Sequence, residues 1–144
     1  MNHTANGPIQ KILQENRVIA VVGLSRKPDR PSHGVARYLQ EEGYRIIPVS
    51  PNISDTVLGE QTYPDLLSIP EPVDVVDIFR RSEDIPPVVE QAIRIGAKAV
   101  WMQLGIINEE AEEMARAAGL DVVMDHCMLV EHRKLRLSGA LQAG

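Results

Sequence analysis

One stretch of this chain concentrates the residue types that bind phosphate. Residues 23–34 read GLSRKPDRPSHG, so Gly23, the hydroxyls of Ser25 and Ser32, and the cations Arg26, Lys27 and Arg30 fall in one short segment. A glycine lets the backbone turn and approach a ligand closely. Unpaired N–H groups at a helix start carry partial positive charge that suits an anion. The segment follows neither the G-x-G-x-x-G nor the G-x-x-x-x-G-K pattern, so it is neither the dinucleotide fingerprint nor a P-loop. In isolation, three basic residues describe a solvated loop equally well. What favours phosphate is their position directly after residues 17–23, RVIAVVG, a run that reads as a strand buried on both faces.

Other candidates follow later strands. Ser50, Pro51 and Asn52 come after RIIPV. Sites for NAD place a carboxylate there to hold the ribose. Its lack disfavours NAD, disfavours NADP less, and suits a 3′-phosphorylated ADP. Phe79, Arg80 and Arg81 follow VDVVDI; alternation aims one arginine at a ligand and the other at solvent, with pairing to Glu83 or Asp84 as the plain alternative. Asp74 and Asp77, three apart in that strand, fall on opposite faces and cannot form an acid–base pair. His126, Cys127 and His132 match no common zinc spacing, so no metal is expected. Trp101 is expected to pack beside its strand. There is no G-x-S-x-G elbow and no evident triad, which points to a binder before an enzyme.

These residues need a scaffold, and the chain alternates strand and helix patterns. Strands are expected at 17–23, 45–49, 73–79, 98–102 and 121–124, with a short edge strand near 58–63. Helices are expected from Ser32 to Gly43, from Ser82 to Gly96 with Pro86 and Pro87 in the first turn, from Asn108 to Gly119, and over 128–136. Such alternation predicts a Rossmann-like three-layer α/β/α sandwich around a mostly parallel five- or six-stranded sheet. The division expected is an N-terminal polar segment or helix over 1–16, the binding domain over 17–137, and a flexible tail over 138–144. Ligands of such sheets sit outside the carboxyl ends of the strands, where strand order reverses. With 144 residues, 44% of them hydrophobic and only 3% aromatic, the core must be aliphatic. The net charge of −5 argues against nucleic acid as the main partner. The single cysteine and the lack of a signal-like or membrane-spanning run predict a cytoplasmic protein.

The motifs VVGLSRKPDRPSHGVARYL, YRIIPVSPN, LGEQTYPDL, PVDVVDIFRRSEDIPPVVEQAIRIGAKAVWMQLGIINEEA and AGLDVVMDHCMLVEH run in order over residues 18–132. As a set they resemble the small stand-alone CoA-binding proteins related to the CoA-binding domain of succinyl-CoA synthetase. The resemblance implies coenzyme A or acyl-CoA across the strand ends. The diphosphate would lie on Gly23, Ser25 and Lys27, with Arg26, Arg30 and Ser32 nearby. Adenosine and the 3′-phosphate would reach Ser50, Pro51, Asn52, Phe79, Arg80 and Arg81. The pantetheine arm would pass Gln103, Leu104 and Gly105. Leu24 stands where the family often has alanine and is expected to narrow the pocket entrance; His126 replaces a usual arginine. Cys127 is either a buried inert thiol or the site of a mixed disulfide with CoA. The reading is a non-catalytic carrier, sensor or accessory module. The alternatives are an NADP-dependent oxidoreductase and a thiol-protection protein acting through Cys127. Monomer and homodimer stay open.

Overall fold

The computed structural model describes residues 6–141. The strands are β1 (Val18–Val22), β2 (Arg45–Val49), β3 (Thr56–Val57), β4 (Glu60–Gln61), β5 (Val75–Ile78), β6 (Ala99–Met102) and β7 (Asp121–Val123). The helices are α1 (Asn6–Glu15), α2 (Pro31–Glu41), α3 (Ile85–Arg94), α4 (Glu109–Ala117) and α5 (Met128–Leu137). Five strands form one sheet in the order β2-β1-β5-β6-β7, and every neighbouring pair is parallel. The architecture is Rossmann-like α/β.

Alternation along each strand feeds two cores. Ile19, Val21, Val75, Ala99, Trp101 and Val123 pack with residues of α1, α2 and α5. Ala20, Val22, Val76, Ile78, Val100 and Met102 pack with residues of α3 and α4. Burial on both faces is why these strands read as unbroken apolar runs. Each large aliphatic side chain so buried contributes about 1.5–3 kcal/mol. Trp101 is fully buried, and its Nε1 donates to the His126 carbonyl at 2.8 Å, so its one polar atom is satisfied.

Several boundaries differ from the sequence expectation. α2 starts at Pro31 with Arg30 as N-cap. Ser32 does not cap it, because its hydroxyl accepts a bond from the Ser25 N–H instead. The expected edge strand is a two-stranded hairpin of β3 and β4, followed by a single parallel bridge between Tyr63 and Val49. That bridge is all that remains of a sixth strand beside β2. β5 begins at Val75, and Asp74 lies before it, accepting bonds from the N–H groups of Arg17 and Val18 at 3.0 Å each. Residues Ser82–Asp84 form a 3-10 turn, and α3 follows with Pro86 and Pro87 in its first turn. The N-terminal segment holds a helix whose Ile9, Ile12 and Leu13 are buried; residues 1–5 of that segment lie outside the described residues. The expected loose tail from 138 is anchored at first. Ala140 N donates to Leu135 O at 2.9 Å, and Gln14 Nε2 donates to Ala140 O at 2.7 Å. Residues 142–144 lie outside the described residues. No described helix is long and apolar enough to cross a membrane.

Candidate functional site

The chain leaves β1 toward β2 on one side and returns to β5 on the other, so strand order reverses between β1 and β5. At that point β1 runs into the turn residue Gly23. Its N–H donates to Val49 O at 2.9 Å, and its φ is +88°. An added Cβ would stand 2.3 Å from the Phe79 carbonyl oxygen. Only glycine fits, for conformational and steric reasons together.

The loop beyond Gly23 is shaped by its own hydroxyls. Ser25 N donates to Ser32 Oγ at 3.0 Å, and Lys27 N donates to Ser25 Oγ at 3.1 Å. Each hydroxyl therefore accepts from the backbone and keeps its proton free to donate. Arg30 N donates to Lys27 O at 3.0 Å, closing the turn into α2, and no side chain caps that helix. Gly23, Ser25, Lys27, Arg30, Pro31, Ser32 and Phe79 together line an open cleft of about 360 Å³. Among the described residues neither Lys27 nor Arg30 is paired with a carboxylate. An uncapped helix start, two free hydroxyl protons and two free cations form an anion cradle.

The remaining candidate residues divide. Arg26 lies outside the cleft lining and pairs with Asp55 at 3.8 Å. Leu24 is buried at 1% exposure in the core under α2; it does not narrow the entrance, because the turn at Gly23 sends it inward. Ser50 is buried and its Oγ accepts from Asn52 N at 3.4 Å, whereas Pro51 and Asn52 are exposed. Pro51 and Arg80 line a smaller cavity of about 140 Å³ with Val88 and Gln91 of α3. Arg81 is exposed and engaged with Glu83 at 3.5 Å and Asp84 at 3.2 Å.

Gln103 turns inward. Its Nε2 donates to Asp77 Oδ1, and its Oε1 accepts from Met128 N at 3.4 Å. The register sets this contact, since Asp77 is paired with Trp101 on the next strand. Asp77 is fully buried and its Oδ2 has no partner. Burial pushes its carboxyl up to about 7, against the lowering effect of the Gln103 bond. The apolar strand around Asp77 hinted at an odd carboxylate; its partner, 26 residues away, had no local signal. Leu104 and Gly105 are exposed, and Gly105 N donates to Asp125 Oδ1 at 2.7 Å. Asp125 holds a φ of +62°, an uncommon conformation that Asp tolerates better than most residues. Cys127 is half-buried at the N-cap of α5. Among the described residues no group of three or more His, Cys, Asp or Glu side chains could hold a metal ion. A separate hollow of about 340 Å³ includes Arg17, Glu42, Tyr44 and His132, near the strand ends opposite the cradle.

A parallel sheet whose strand order reverses between β1 and β5 is the Rossmann-like α/β architecture, in which ligands sit at that reversal. The chain belongs to the CoA binding domain family, which it matches over residues 17–133. An uncharacterized protein of Bacillus subtilis (strain 168), YneT, is 45% identical over 132 residues, covering 92% of this chain and 97% of that one. A hypothetical protein from Pyrococcus horikoshii OT3 superposes with a TM-score of 0.88 at 42% identity, covering 93% of this chain and 94% of the other. An ADP-forming acetate–CoA ligase of Archaeoglobus fulgidus is 31% identical over 99 residues, 67% of this chain but only 15% of the ligase.

Proposed function

We propose that this chain binds coenzyme A, free or acylated, through its ADP moiety and acts as a non-catalytic carrier, sensor or accessory module. The observation that carries the reading is the cleft at the switch point, where Gly23, Ser25, Ser32, Lys27, Arg30 and the start of α2 converge. A diphosphate there meets two hydroxyl donors, two cations and a helix start. The adenosine end then runs toward Ser50, Pro51, Asn52 and Arg80. The pantetheine arm runs the other way, over β5 to the loop after β6. That path crosses two strand spacings, about 10 Å, within reach of an extended pantetheine. Membership of the CoA binding domain family supports the same ligand.

Thermal shift with CoA and NADPH in parallel tests the reading. CoA at one hundred times its Kd stabilises the fold by about 2.7 kcal/mol, and NADPH leaves the midpoint in place. The Lys27→Ala/Arg30→Ala double variant weakens CoA binding by at least about ten-fold, the loss of about 1.4 kcal/mol of charge-assisted contact. Arg26→Ala, whose guanidinium is engaged with Asp55, weakens it less. A double variant with undiminished affinity removes the diphosphate from this cleft.

A further inference from the structure

The loop after β6 displays apolar side chains that the fold itself holds out. Leu104 is 71% exposed and Ile107 48%. A pliable loop would fold such side chains inward, but this one is tied on both flanks. Gly105 N donates to Asp125 Oδ1 at 2.7 Å, Ile107 N to Ser82 Oγ at 3.2 Å, and Asn108 Nδ2 to Ser82 O at 2.8 Å. Within the loop, Ile106 N donates to Gln103 O at 2.9 Å. The segment 103–107 reads QLGII and has no charge of its own. Two carboxylates bond to it: Asp77, buried in the sheet, through Gln103, and Asp125, at the exposed rim, through Gly105 N.

We propose that Leu104 and Ile107 seat the acyl chain of a neutral aliphatic acyl-CoA, and that Asp125 disfavours acyl groups ending in a carboxylate. This rests on the reading that CoA lies with its diphosphate at Gly23. Two strand spacings from that cradle, the thiol end arrives at the loop after β6, and any group esterified to it lies against the displayed side chains. Burying an aliphatic chain there removes apolar surface from water on both partners. A terminal carboxylate would instead lose hydration beside a like charge.

The test is calorimetric titration of the intact chain with CoA and with acetyl-, butyryl-, hexanoyl-, octanoyl- and succinyl-CoA. A half-buried chain tightens binding about two-fold per methylene, against about four-fold for full burial. Octanoyl-CoA therefore binds on the order of 50-fold more tightly than acetyl-CoA, and succinyl-CoA more weakly than butyryl-CoA. In Leu104→Ser/Ile107→Ser the octanoyl-to-acetyl ratio, measured within the variant, falls to a few-fold. Both side chains are exposed, so the double variant folds. Asp125→Asn keeps an acceptor for Gly105 N and narrows the gap between succinyl- and butyryl-CoA. A flat series with CoA still bound overturns this proposal and leaves the CoA reading standing, as does an undiminished ratio in the double variant. Failure of every thioester and of CoA itself overturns the underlying reading.

Discussion

Asp77→Asn removes a titrating group from the centre of the sheet with almost no change of shape. The asparagine oxygen still accepts from Gln103 Nε2, and its other atom replaces an Oδ2 that already lacks a partner. Burial raises the Asp77 carboxyl from 3.8 to about 7. The folded state therefore binds a proton that the unfolded chain has released, and stability falls as pH rises from about 4 to 7. The full displacement of about three pH units corresponds to about 4 kcal/mol. Between pH 5 and pH 8 the remaining loss is about 3 kcal/mol. At roughly 3 °C per kcal/mol for a chain of this size, that is on the order of 10 °C in Tm. The asparagine variant lacks this slope. Calorimetric Tm values at pH 5, 6, 7 and 8 for both proteins should diverge by about that amount, with the variant gaining on the parent as pH rises. Parallel profiles would refute the argument, because they would mean the buried carboxyl does not change charge over this range. The difference between the proteins is the quantity to read, since other groups bend the parent profile as well.

His132 supplies one such bend, of opposite sign. Burial holds its imidazole below the usual 6.5, against the raising effect of Glu42, so stability present above pH 6.5 is lost on acidification through the folded value. His132→Gln flattens that acid limb in a Tm-against-pH series, and an unchanged limb assigns the loss elsewhere. Gly23→Ala forces a Cβ to 2.3 Å from the Phe79 oxygen at a φ of +88°. It should cost about 2 kcal/mol or more and abolish the CoA-induced thermal shift; a variant as stable and as responsive as the parent would show that the corner is not tight.

The cradle was legible in the residues because its parts are contiguous. Gly23, Ser25, Lys27 and Arg30 lie in the connection between β1 and α2 and Ser32 in the first turn of α2, and local chain geometry alone brings them near each other. The strands and most helices were legible for the same reason, since burial on two faces leaves an unbroken apolar run and a helix start leaves its proline or asparagine. Contacts between distant segments were not. Arg26 and Arg30 look alike in the sequence, yet Asp55, from the connection leading into β3, engages only the first. Leu24 looks like a lining residue, and the turn at Gly23 buries it. Gln103 looks like part of the open rim, and it turns to Asp77 because β5 and β6 lie side by side in a register that no local pattern encodes. Short-range geometry follows from backbone stereochemistry and residue type, which a sequence states outright. Which charge is neutralised and which polar side chain is drawn inside follow from strand order and register, properties of the folded whole.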